Sequence, residues 1–156
     1  AESRLASASE LLARPRKSHP ALAAVARMPW PRDVVTPGLA QDLSAIEANA
    51  IPVFSGTGNG LEFRYMRYWT ERAMDKLGQP VPANLTRLFD FIDADLDKNA
   101  LRFNLKRGDM LLVNNRLMVH GRAAFEDQPG AARRCLVRAW VDGFADSPGN
   151  RLPLRD

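Results

Sequence analysis

The spacing of apolar residues changes character along the chain. Over residues 3–13, Leu5, Leu12 and small side chains recur on one side of a helix, and Pro15 is expected to end it. Pro20 suits the first turn of a second helix, and Ala21 to Met28 are good helix formers. Pro29, Pro31 and Pro37 then break the pattern into an extended loop, and residues 38–50 read as a polar connector.

From residue 51 the texture turns to strands. Ile51 to Phe54 and Leu61 to Tyr68 flank Ser55-Gly56-Thr57-Gly58-Asn59-Gly60, with Asn59-Gly60 as a hairpin signal. The glycine spacing fits neither the dinucleotide fingerprint nor the Walker pattern, so the run is read as a turn. Thr70 to Leu77 predicts a short helix stopped by Gly78. Residues 83–97 predict a stronger one, with Leu85, Leu88, Phe89, Ile92 and Leu96 at helical spacing. Asp93, Asp95 and Asp97 resemble half of a calcium loop, but its Gly and terminal Glu are missing, so they are read as solvated acids.

The last third alternates. Leu101, Phe103 and Leu105 interleave with Arg102, Asn104 and Lys106 as a half-buried strand. Gly108-Asp109 is a turn, Met110 to Val113 and Leu117 to His120 are further apolar runs, and Arg134 to Val141 is the final long strand. Regularly spaced strands with short turns argue an all-β barrel or sandwich with helical trimmings.

At 156 residues the chain has the size of one domain, read here as residues 1–50 (helical and loop region), 51–144 (barrel strands with helices near 70–77 and 83–97) and a tail over 145–156. No apolar run approaches the ~20 residues of a membrane span, and no signal peptide opens the chain. The single cysteine excludes an internal disulfide, which suits a cytoplasmic setting; Cys135 reads as a core residue. Net charge is +4, and of the 22 basic residues 18 are Arg. These are spread from Arg4 to Arg155 rather than gathered into a patch with stacking aromatics, so nucleic-acid binding gains little weight.

Chemistry concentrates between Gly108 and Trp140. His120 ends an apolar strand just before a glycine, where an imidazole can ligate a metal, act in acid–base chemistry, or serve as a hydrogen-bonded structural group. On the final strand, Arg134, Leu136, Arg138 and Trp140 share one face, with the two guanidiniums about 13 Å apart along the chain. Cys135, Val137, Ala139 and Val141 share the other, apolar face. The Arg face meets either solvent or a polar cavity that receives anions.

Gly108-Asp109-Met110, Asn114-Asn115-Arg116 and His120-Gly121-Arg122, with Arg134 fourteen and Arg138 eighteen residues after His120, closely resemble the C-terminal motif region of the TauD/TfdA family. These are taurine dioxygenase-like, or clavaminate synthase-like, Fe(II)/2-oxoglutarate oxygenases. Pro52-Val53-Phe54, Phe63-Arg64-Tyr65, Leu11-Leu12, His19-Pro20 and Pro29-Trp30 resemble its upstream strands and helical insert more weakly. The resemblance implies a mainly β fold with helical insertions: a partial double-stranded β-helix (jelly roll, cupin-like) lacking its N-terminal strands. It implies His120 as the distal histidine of the 2-His-1-carboxylate triad, Arg134 and Arg138 as cosubstrate-binding, and Asn114 and Arg122 as supporting residues. The implied cofactor is Fe(II), with 2-oxoglutarate as cosubstrate and a small organic substrate, carboxylate- or amine-bearing by default.

The family's His-x-Asp pair has no counterpart here. The other histidine, His19, is followed by Pro20-Ala21, so the chain supplies one iron ligand of three. The expectation is therefore the C-terminal part of an oxygenase, inactive alone, needing the missing half or self-association. The alternative is a non-catalytic carboxylate-binding barrel.

Overall fold

The computed structural model describes residues 2–34, 42–115, 117–122 and 137–139, apart from the side chain of Asn59. The chain divides into one unit over Ala1–Ala124 and another over Phe125–Asp156, and of the second only residues 137–139 are described.

The first unit opens on a strand, β1 (Ser3–Ser7), where helical spacing predicts a helix. Its neighbours decide this. β1 is the middle strand of an antiparallel sheet between β6 (Leu101–Phe103) and β7 (Met118–Arg122), and ladder bonds on both sides outweigh a weak local preference. Ser7 is also the N-cap of α1 (Ala8–Ser18), accepting a hydrogen bond from the Glu10 N–H, so the strand passes directly into the helix. The helix runs through Pro15 rather than stopping there. The missing Pro15 N–H leaves one helical bond unmade, but Pro15 is itself buried and its carbonyl accepts from His19 N–H at 2.7 Å.

A second helix, α2 (Pro20–Val25), starts at its proline as expected. The two-residue strand β2 (Pro29–Trp30) pairs with β3 (Ile51–Pro52). Between them, within the stretch read as a polar connector, lies α3 (Leu43–Ala48), capped by Asp42, whose carboxylate accepts from Ala45 N–H at 2.7 Å. Residues 35–41, with Pro37, lie outside the described residues.

The glycine run does close a hairpin, between β4 (Phe54–Ser55) and β5 (Glu62–Phe63). The positive φ values fall at Gly56 and Gly58, not at Asn59-Gly60, because a short 3₁₀ turn over Gly58–Gly60 widens the loop. Gly56 is required: a Cβ there would sit 1.9 Å from the Gly60 carbonyl oxygen. The strand predicted to Tyr68 ends at Phe63, and α4 (Arg67–Lys76) takes over, closed at Gly78 with φ 66°. The strongest helical prediction becomes α5 (Ala83–Asn99), which buries Leu85, Leu88, Phe89 and Ile92.

The core is the meeting of α1, α2 and α5 with the β4–β5 hairpin. It includes Leu11, Leu12, Leu22, Val25, Phe54 and Phe63. A relay of tilted rings runs from Phe54 to Phe63 (4.8 Å), Tyr65 (5.9 Å) and Phe89 (5.5 Å). Arg67 stacks on the Phe89 ring and pairs with Glu71, Asp90 and Asp93, tying α4 to α5. Asp93, Asp95 and Asp97 are therefore not merely solvated: they take Arg67, Arg14 and Arg102 respectively, and Tyr65 donates to Asp93 at 2.6 Å. Burial and the Asp93 carboxylate push the Tyr65 hydroxyl well above the usual phenol range.

A polar anchor sits beside this core. Arg32 is buried and donates to the Arg64 carbonyl at 2.6 Å; burial, then the neighbouring Arg64 charge, pushes its pKa down to about 10. Asp33 is buried too, and its carboxylate pairs with Arg72 and, at 2.8 Å, with Lys76, both on α4. The hydrogen bond from Lys76 is the main cause holding Asp33 below the usual carboxylate range. These contacts pin the proline-rich segment onto α4.

The described residues are thus not mainly β. Helical residues outnumber strand residues more than two to one, and the sheets are small. Met110 to Val113 forms no strand and pairs with no strand among the described residues, and Met110 and Leu112 are 82% and 86% exposed. Leu101 is 64% exposed, so only Phe103 and Leu105 approach the half-buried pattern predicted for that segment. No helix of the described residues is long and apolar enough to cross a membrane.

Candidate functional site

The three-stranded sheet has two unlike faces, set by strand alternation and register. Arg4 lies opposite Arg102 and Gly121, and Ala6 opposite Val119. This face turns toward the helices: Val119 packs on the core, and Arg4 and Arg102 both reach Asp97 at the end of α5, at 3.0 and 2.8 Å. The two guanidiniums, Arg102 first, hold the Asp97 carboxyl below its ordinary range.

The opposite face carries His120 and Arg122. Leu5 lies across from Leu101 on one side and His120 on the other, and Ser3 lies across from Phe103 and Arg122. His120 and Arg122 are both exposed on it. His120 therefore stands at the end of a row that is otherwise leucine.

The approach to His120 is built by two turns. Gly108 has φ 90°, and the Asp109 carboxylate accepts from Lys106 N–H at 2.7 Å while Asp109 N–H donates back to the Lys106 carbonyl. The predicted Gly108-Asp109 turn is therefore present. Next, the Asn114 carbonyl accepts from both Leu117 and Met118 N–H, at 3.1 and 3.0 Å, and turns the chain into β7. At that turn Asn115 Oδ1 lies 2.8 Å from His120 Nε2. The Asn114 backbone, of a residue expected to support the site, shapes this turn, and the side chain of the neighbouring Asn115 meets the imidazole. A five-residue Asn-to-His spacing across a turn was the available signal. Leu5 was also missed as a neighbour of His120, because residues 3–13 read as a helix.

Arg134 lies outside the described residues. Arg138 is described and exposed, and residues 137–139 form no strand. Val137, expected on a buried apolar face, is 93% exposed. His19 lies between α1 and α2 with its ring 5.5 Å from Phe91 and its Nδ1 2.8 Å from the Ser18 hydroxyl, so it has a packing role. Among the described residues no group of three or more His, Cys, Asp and Glu is placed to hold a metal ion. The imidazole of His120 is a side chain of the sheet face that could offer one nitrogen to a metal ion.

Gly108-Asp109 and Asn114-Asn115 thus form the two turns that lead into β7, with His120 at the middle of that strand rather than at its end. The family description "Taurine catabolism dioxygenase TauD, TfdA family" matches residues 5–140, and the chain belongs to that family. A curated relative, "Dioxygenase str8" from Strobilurus tenacellus, is 35% identical over 69 residues, covering 40% of this chain and 16% of the relative. The match therefore spans about a sixth of that protein's length. Family and relative together support a dioxygenase-type function.

Proposed function

We propose that the chain is the C-terminal part of a non-haem Fe(II)/2-oxoglutarate-dependent dioxygenase of jelly-roll type, hydroxylating a small organic substrate. The observation that carries this is His120, exposed in the middle of β7 and across from Leu5, within a chain matched along residues 5–140 by a dioxygenase family. In this reading His120 is one iron ligand, and Arg134 and Arg138 take carboxylates of 2-oxoglutarate or substrate through their planar forks. Arg122 and Asn114 support that site. Bound Fe(II) with 2-oxoglutarate supplies the chemistry: dioxygen puts one oxygen into a substrate C–H bond and the other into succinate, with loss of carbon dioxide. The residues of this chain contribute orientation and charge. The remaining two ligands come from a His-x-Asp pair outside this sequence, so the chain alone is inactive. The protein acts in the cytoplasm on a carboxylate- or amine-bearing small molecule, without nucleic acid or membrane.

The test is succinate formation by the complete protein with Fe(II), 2-oxoglutarate and candidate substrates. Turnover is expected to be lost in His120→Ala. Absence of succinate from a well-folded complete protein overturns the reading. If calorimetry then shows 2-oxoglutarate binding without metal, the chain is a carboxylate-binding barrel instead.

A further inference from the structure

We propose that Arg32, with the neighbouring Arg64, forms a binding site for a small carboxylate. Neither His120 nor a metal enters it. Arg32 lies in the proline-rich segment after β2 and is only 8% exposed. A guanidinium so far out of water normally sits against a carboxylate. Here the adjacent acid is already engaged, because Asp33 pairs with Arg72 and Lys76 on α4. No carboxylate among the described residues pairs with Arg32, whose side-chain hydrogen bond runs from Nη2 to the Arg64 carbonyl at 2.6 Å. That bond brings a second cation close, and the Arg64 charge adds to burial in holding the Arg32 pKa down to about 10. Glu62 meets Arg64 Nη2 at 3.5 Å and forms no ion pair with Arg32.

The guanidinium is held in place by backbone. Asn49 Nδ2 donates to the Arg32 carbonyl at 3.3 Å, and Asp33 N–H donates to the Trp69 carbonyl at 3.0 Å. Arg64 N–H donates to the Val53 carbonyl at 2.9 Å, which fixes the residue whose own carbonyl orients Arg32. A guanidinium has several N–H donors in one plane, and that carbonyl takes one of them. No buried side-chain nitrogen or oxygen among the described residues lacks a partner, so the remaining Arg32 N–H groups face the small part of the residue that water still reaches. They form a planar fork that matches the two oxygens of a carboxylate, and the exposed Arg64 adds a second positive charge beside it. A cation already stripped of most of its water and held by its backbone loses little more when an anion arrives.

The probe is acetate, titrated into the full chain against chloride at matched ionic strength, with the Arg32 Nε–H followed in nitrogen-15 spectra at mildly acidic pH. That resonance is expected to move along a saturating curve with acetate and to stay in place with chloride. Arg64→Gln keeps the backbone carbonyl that Arg32 donates to, so the fold is retained while acetate affinity falls about threefold through the lost charge. Arg32→Lys keeps the charge without the fork and should weaken acetate about tenfold. The double variant Arg134→Gln/Arg138→Gln should leave the curve unchanged, which separates this site from the carboxylate position assigned to the last strand. An Arg32 Nε–H that ignores acetate, an equal response to chloride, or an affinity unchanged in Arg64→Gln overturns the proposal. So does acetate binding that is present in this chain and lost in the complete protein, since an acidic side chain from the rest of the protein would then fill the fork.

Discussion

The helical layer and the His120 face of the sheet are both rich in leucine, yet they meet water differently. In the first, Leu11, Leu85, Leu88 and Ile92 are all but completely buried among α1, α5 and their neighbours. In the second, Leu101 is largely exposed, as are Met110 and Leu112 in the loop that leads from β6 to β7. The difference teaches where the first unit is self-sufficient. The amphipathic helices bury their stripes against one another and the β4–β5 hairpin within the same unit, whereas a sheet face is covered only when a second layer lies on it.

The comparison breaks most readily from the helical side. Phe89→Ala removes a ring that contacts both Tyr65 and Arg67, and about 4 kcal/mol of unfolding free energy should be lost, read by denaturant titration. Gly56→Ala comes next. Its Cβ collides with the Gly60 carbonyl at a positive φ, so a loss of about 2–3 kcal/mol is expected by the same measurement.

Asp33→Asn should cost about 2 kcal/mol, since a buried carboxylate loses its charge while Arg72 and Lys76 stay cationic. The pH dependence has a definite sign. The folded-state pKa of Asp33 is depressed, so the unfolded chain binds its proton first as pH falls. The stabilisation from Asp33 is complete above the unfolded carboxyl value near ~4 and disappears as pH drops through the lower folded value. Stability curves of wild type and Asp33→Asn should therefore converge in acid; parallel curves would show that Asp33 is not the titrating group. The smallest effect belongs to the exposed apolar residues of β6 and of the loop after it. Leu101→Ser, Met110→Ser and Leu112→Ser should each change stability by no more than about 0.5 kcal/mol. Together they should reduce self-association of the isolated chain in sedimentation, because they remove exposed apolar surface.

The helical half of the fold was legible because its signals are local. α5 follows from a five-residue apolar stripe, α2 from Pro20, the end of α4 from Gly78, and the hairpin from its glycines. The misreadings share a cause. Ser3–Ser7 became a strand because of β6 and β7, residues about one hundred positions away, and Met110 to Val113, which has no such partner among the described residues, did not. The site divides in the same way. His120 stood out by its place before a glycine at the end of an apolar run, while its contacts with Asn115 and Leu5 depend on a turn and a register.

By itself, then, the sequence determined the family motif from Gly108 to Arg122, the candidate ligand His120, the absence of a His-x-Asp pair within the chain, and the helices whose faces are written in neighbouring residues. Only the tertiary structure decided that the chain opens on a strand, that Leu5 stands across from His120, that Asp33 is a buried anchor for α4, and that the Asn115 side chain lies against the imidazole. The physical reason is range. Helix stripes, caps and glycine turns are settled within a few residues by sterics and hydrogen bonding, whereas strand pairing and ion-pair burial depend on partners that only the folded chain brings near.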